Sequence, residues 1–189
     1  MARSKRDDIM EAALILFAER GYDGTTVPMI AEKAKVGAGT IYRYFENKES
    51  LVNSMFQDNV IKFADMLRSS FDEESNDIRH QFHLLFRQMV HFAKHNQYSL
   101  QFIDSHVDGH YLDEKSNQIF EEFLGFLRSF AEKGAKEGVL CSLQPDAIIA
   151  IVYGAFSRLY KLIRHGLIEE SEQLIQQVED CCWNAIRIY

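Results

Sequence analysis

The chain has 189 residues, enough for one large domain or two small ones around a shared core, and 47% of them are hydrophobic against 26% charged. No stretch of about 18 uninterrupted apolar residues offers a membrane span, and no apolar segment follows the basic start as an export signal would, so a cytoplasmic protein is expected. The three cysteines (Cys141, Cys181, Cys182) are odd in number and lack metal-ligand spacing, which fits idle thiols in a reducing compartment. The net charge of −7 looks unfavourable for a nucleic-acid ligand, but residues 1–50 carry eight basic and eight acidic side chains. The excess of acid lies wholly beyond them. Any contact with DNA must therefore come from local geometry rather than long-range attraction.

Helical periodicity runs through the whole sequence, and only two prolines interrupt it. Ile9, Ala13, Leu16 and Phe17 line one face of a first helix that stops at Gly21. Thr26 is a candidate N-cap for a second helix, with Pro28 in its first turn and Ile30, Ala31 and Ala34 facing inward. A break at Lys35-Val36-Gly37 leads into a short third helix, predicted from Ala38 to Phe45. Asn47 can cap a long fourth helix, Lys48 to about Ser70, along which Leu51, Met55, Phe56, Val60, Phe63 and Leu67 keep the 3.6-residue period. A polar stretch, Asp72 to Asp77, precedes a fifth helix marked by Ile78, Phe82, Leu85, Phe86, Met89 and Phe92. A short segment follows around Leu100 to Val107, closed at Asp108-Gly109. Ile119 to Phe130 form a helix ending at Gly134 or Gly138. Another helix opens at Pro145, and a last one runs from about Glu169 to Arg187. The expected fold is all-α, with about nine helices. Three small ones form an N-terminal helix-turn-helix domain (residues 1–50, the motif about 26–45). A helical bundle follows, residues 51–189.

The third helix carries the chemistry. Ile41 and Phe45 are four residues apart, so they share a face that can pack on Ile30, Ala34 and Val36. Thr40, Arg43 and Tyr44 fall on the other side. Gly37, Ala38 and Gly39 are small enough to let the start of the helix approach a groove or a phosphate, which its free N–H groups and dipole favour. The hydroxyls of Tyr42 and Tyr44 can donate to phosphate oxygens without adding charge.

The run Gly21-Tyr22, Thr25-Thr26-Val27, Ile30-Ala31, Ala34, Val36, Gly39-Thr40-Ile41-Tyr42, Tyr44-Phe45, Asn47-Lys48-Glu49 and Leu51 resembles the DNA-binding domain of the TetR (TetR/AcrR-type) family of bacterial transcriptional regulators. The resemblance covers roughly residues 5 to 55. It implies an all-helical homodimer that binds a near-palindromic double-stranded operator through its N-terminal domains. It also implies a small-molecule effector held in the C-terminal bundle and dimerisation through the last two helices. By the same resemblance Thr25 and Thr26 touch the DNA backbone at the start of the second helix, and Tyr42, Tyr44 and Lys48 meet phosphates. Gly37, Ala38, Thr40 and Arg43 then lie at the base edges, and Gly39 is a further DNA-binding position. Of the base-facing residues only Thr40 and Arg43 have polar side chains, and Arg43 is suited to the O6 and N7 of guanine. The departure is Lys35, where the family usually has glycine. A basic arm of Arg3, Lys5 and Arg6 is a candidate minor-groove reader or a plain tail.

In the bundle, phenylalanines recur at helical spacing, which suits an aromatic core or an apolar ligand pocket with a few polar groups. Phe86, Phe123 and Phe126 are candidate pocket walls, and Gln101, His106, Tyr153 and Arg158 are candidate orienting groups for an apolar or aromatic effector. The pairs His91/His95 and His106/His110 could share a metal on one helix face, but no further ligand completes a set, so neither metal nor cofactor is expected. The helix from Pro145 is apolar on more than one face, as an interface helix is, and Gly154 permits close approach there. An enzyme would need a nucleophile with its base, a phosphate loop or paired carboxylates, and none is present. The leading reading is a ligand-responsive repressor. A protein-interaction adaptor with the same fold and no DNA binding stays open, because the N-terminal domain is neutral.

Overall fold

The structure is a computed structural model that describes residues 4–71, 75 and 77–188. Arg3 of the basic arm and most of the polar stretch Asp72 to Asp77 lie outside the described residues. The described residues form nine α-helices and no named strand: α1 (Lys5–Arg20), α2 (Val27–Lys33), α3 (Ala38–Tyr42), α4 (Lys48–Arg68), α5 (Ile78–His95), α6 (Gln97–His106), α7 (Glu114–Lys136), α8 (Pro145–Arg164) and α9 (Glu172–Ile186). The all-α expectation holds. No helix is long and apolar enough to cross a membrane among the described residues.

Two compact units interleave along the sequence. One comprises residues 1–64 and 94–121, the other residues 65–93 and 122–189. In the first unit, α1 begins with a capping box in which the Ser4 hydroxyl accepts from the Asp7 N–H and the Asp7 carboxylate accepts from the Ser4 N–H. Ile9, Ala13, Leu16 and Phe17 are buried as the period requires, and so are Ile30, Ile41 and Phe45. The Thr26 hydroxyl accepts from the Met29 N–H as the N-cap of α2.

The turn after α2 depends on Lys35. Its φ is +55°, and it is the one non-glycine among the described residues with positive φ. The Val36 N–H reaches back to Ala31 O at 3.0 Å and the Lys35 N–H to Glu32 O at 3.1 Å, a closure that normally employs glycine. Lysine therefore holds the conformation at a local cost of about 1 kcal/mol. The chain leaves α3 earlier than predicted. The α-helix ends at Tyr42, and the Tyr44 and Phe45 N–H groups both donate to Ile41 O at 2.9 Å. That tighter turn keeps Phe45 buried while Arg43 and Tyr44 remain exposed.

In the second unit the core is aromatic. Phe82, Phe86, Phe92, Phe130 and Phe156 are buried together with Ile148, Leu159 and Ile175. A charged cluster joins α5 to α9: Glu179, with no exposure, accepts from Arg79 at 2.7 Å and pairs with His83 Nδ1 at 2.9 Å. Arg79 also pairs with Asp180 at 3.0 Å and covers the Trp183 ring. The last helix starts at Glu172 rather than Glu169, because the Ser171 hydroxyl accepts from the Leu174 N–H and sets the boundary there. Beyond it, Ile188 N–H donates to Val139 O and Cys141 N–H to Ile186 O, so the segment after α9 pairs with the one after α7.

Candidate nucleic-acid interface and effector cleft

The candidate reading face is built by α3 and the turn that follows it. Ile41 has 1% exposure and Phe45 6%, while Tyr42 has 54% and Tyr44 43%. Arg43 is exposed beside them, its guanidinium 5.8 Å from the centre of the Tyr44 ring. Gly37 and Gly39 are exposed, and Ala38 and Thr40 are half-buried. Gly37 has extended backbone as the N-cap, and no side-chain group caps α3. The start of that helix is left to whatever approaches it. Thr26 is exposed at the start of α2.

Two residues assigned to this face are turned inward. Thr25 has no exposure, and its hydroxyl donates to the carbonyls of Gly21 at 2.8 Å and Leu16 at 3.1 Å. Its hydroxyl is a strap over the end of α1 and not a phosphate donor. The Lys48 ammonium donates to Tyr22 O at 2.9 Å and Thr25 O at 3.1 Å, and it lies 3.8 Å from the centre of the Tyr22 ring. Its charge is spent on two carbonyls and a π face rather than offered to solvent. Arg6 of the basic arm is half-buried, over the Phe45 ring and bonded to Ser54. Lys5 is exposed.

The proposed effector residues are divided between the two units. Gln101 and His106 belong to the first unit, whereas Phe86, Phe123, Phe126, Tyr153 and Arg158 belong to the second. The Gln101 amide donates to Ala18 O at the end of α1 at 2.5 Å, so it is a packing strut between α6 and α1. His106 is fully buried against Phe17 and Phe102, and its Nδ1 donates to Phe102 O at 2.9 Å. Burial holds its pKa below the ordinary value, which keeps the imidazole neutral. Phe86 packs edge-on to Phe156, which in turn meets Tyr153. Phe123 is buried and Arg158 exposed.

Phe126 lines an open cleft of the second unit. That cleft, of about 480 Å³, is formed by Arg68, Phe71, Glu122, Phe126, Ser129, Phe130 and Lys133. The Arg68 guanidinium sits 5.2 Å from the Phe126 ring centre, and Phe71 meets Phe126 edge-on at 5.1 Å. Sequence reasoning missed most of these walls. Residues 122, 126, 129, 130 and 133 nevertheless fall on one helical stripe, and polar members of a phenylalanine-bearing stripe were the available signal.

With this geometry in place the comparisons are decisive about family. A model of bacterial regulatory proteins of the tetR family matches residues 9–55, and one of the tetracyclin repressor-like C-terminal domain matches residues 56–188. The chain belongs to the TetR family. It is a TetR-family transcriptional regulator, from a family of DNA-binding regulators and not of enzymes. It is 29% identical over 140 residues to the fatty acid metabolism regulator protein of Bacillus subtilis, covering 72% of this chain and 71% of that one. Its fold matches a TetR-family protein of Shewanella sp. PV-4 with a TM-score of 0.81 at 23% identity, over 99% of this chain and all of the other. The regulator FadR of Bacillus subtilis, solved with stearoyl-CoA, matches with a TM-score of 0.74 at 21% identity, over 95% and 98%.

Proposed function

We propose that this TetR-family regulator is a ligand-responsive repressor in which residues 1–50 read a near-palindromic operator and residues 51–189 bind an effector and dimerise. The observation that carries the DNA reading is the division of α3 and the turn after it between a buried pair, Ile41 and Phe45, and an exposed set of Tyr42, Arg43 and Tyr44. With Thr26, Gly37, Ala38, Gly39 and Thr40 that set forms the contact surface, the tyrosines on phosphates and Arg43 on a guanine edge. Dimerisation is assigned to α8 and α9. Ile151, Gly154 and Ala155 are exposed along α8, and a side-chain carbon at Gly154 would meet nothing within 4 Å, so a partner helix could approach closely there. A dimer would set two reading heads about 34–36 Å apart, one turn of DNA.

The effector is an apolar or aromatic molecule carrying an anionic group, held in the Phe71–Phe126–Phe130 cleft with Arg68 and Lys133 at its rim. The fatty-acid assignment of one relative and the stearoyl-CoA in another support a long apolar chain as the class. Repression is relieved only if the effector prefers the conformation that separates the heads, since equal affinity shifts nothing.

A gel shift with the DNA upstream of the chain's own gene, at several salt concentrations and with and without a long-chain acyl thioester, tests this reading. Specific binding released by the thioester is expected. Absence of specific binding at low salt would favour the adaptor, and binding that ignores every apolar anion would remove the effector assignment.

A further inference from the structure

We infer that Tyr111, in the loop between α6 and α7, is a positioning residue for DNA reading: it sets the angle at which α2 and α3 are presented, without approaching the duplex itself. The inference rests on a column of contacts inside the first unit. The Tyr111 ring stacks on Tyr22 with centroids 3.9 Å apart and planes 18° from parallel. The Lys48 ammonium lies 3.8 Å from the centre of the same Tyr22 ring. Two groups that near one ring centre must occupy its opposite faces, so Tyr22 is clamped between a cation and a second ring. Tyr22 lies in the connection between α1 and α2, and its carbonyl and that of Thr25 accept from Lys48. The next residue, Thr26, caps α2. The column therefore ends directly at the start of the helix-turn-helix.

The loop end of the column is held as firmly. Asn53 of α4, 5% exposed, donates to Tyr111 O at 2.8 Å, and its side-chain oxygen accepts from the Asp113 N–H at 2.8 Å and the Ser116 hydroxyl at 2.7 Å. Three bonds from one buried amide fix residues 111–116 against α4, and each would leave an unsatisfied polar group if broken. Gly109 leaves room for the ring, since a side-chain carbon there would come within 2.5 Å of Tyr111 Cζ. His106 meets Tyr111 edge-on at 5.9 Å. Burial, with the neighbouring Asp23 carboxylate and the Tyr22 phenol adding to it, pushes the Tyr111 phenol up to about 12, so the ring stays uncharged throughout the neutral range. None of Tyr111, Tyr22 or Gly109 belongs to the exposed set on α3 and the turn after it, so an effect on base reading must travel through geometry.

The test uses the full chain and two DNAs: a site selected by the wild-type protein from a random pool, and a scrambled duplex of equal length. Tyr111→Ala and Gly109→Ala are each titrated against both, with active protein counted by stoichiometric binding and folding checked by circular dichroism. The ratio of selected to scrambled affinity is expected to fall about tenfold in both variants, the scale of losing one base-reading contact. Tyr111→Phe and Tyr111→Trp, which keep a ring on Tyr22, are expected to restore it. If Tyr111→Ala does not fold, Gly109→Ala carries the test. A ratio unchanged in the folded variants, an equal loss on both DNAs, or no rescue by Phe or Trp would overturn the assignment.

Discussion

Tyr42 and Lys48 stand six residues apart and bear polar groups suited to a phosphate, yet their fates differ. Tyr42 is more than half exposed, whereas the Lys48 ammonium is folded onto the Tyr22 and Thr25 carbonyls. Thr26 and Thr25 repeat the contrast at adjacent positions, one exposed as a cap and one buried as a strap. The lesson is that a helical face predicts where a side chain emerges, while the backbone groups within its reach decide whether its polar end is free. A charged head near unpaired carbonyls is taken up by them, and a phenol on a short exposed turn has no such competitor.

That contrast can be broken or sharpened by substitution. The largest effect is expected from Phe45→Ala, which empties the buried side of the reading face. A loss of about 3–5 kcal/mol in urea unfolding is expected, and Tyr42→Ala in the same assay should change stability by less than about 0.5 kcal/mol. Lys48→Met comes next. Removing a charged donor from two carbonyls should cost about 1.5–3 kcal/mol of stability, whereas a lysine serving DNA alone would leave unfolding untouched. Arg43→Ala is expected to cost about 1–3 kcal/mol on the selected site, read in a binding titration, and to relax base preference at one position. An equal loss on every sequence would move Arg43 to the phosphates. The smallest effect belongs to Lys35→Gly, which should raise stability by up to about 1 kcal/mol by relieving the positive φ.

The fold was legible because its determinants are local and repeated. The apolar period marks every helix, and Thr26, Gly138 and Pro145 stand at or near boundaries the structure keeps. The misjudged boundaries depended on single hydrogen bonds. Ser171 starts α9 three residues late, and the Ile41 carbonyl closes α3 three residues early. The buried side of the reading face followed from Ile41 and Phe45 alone. The inward turn of Thr25 and Lys48 did not, because their partners are carbonyls of a loop whose path no side-chain pattern encodes. The surroundings of the candidate effector residues were least legible. Gln101 and Phe126 are both aromatic-helix neighbours in sequence terms, yet one struts α6 against α1 and the other walls a cleft.

The Arg79–Glu179–His83 cluster has a consequence of registration. A buried ion group of this kind adds little net stability over an apolar replacement, but separating its members costs about 3–5 kcal/mol. If α9 slid along α5 by one helical turn, about 5.4 Å, Glu179 would keep its burial and lose the Arg79 guanidinium and the His83 ring as partners. The slid arrangement is thereby penalised although its apolar contacts could be remade, since leucine and isoleucine tolerate new neighbours and a carboxylate without exposure does not. The cluster works as an index mark, fixing which residues α9 turns outward and hence which surface this helix presents.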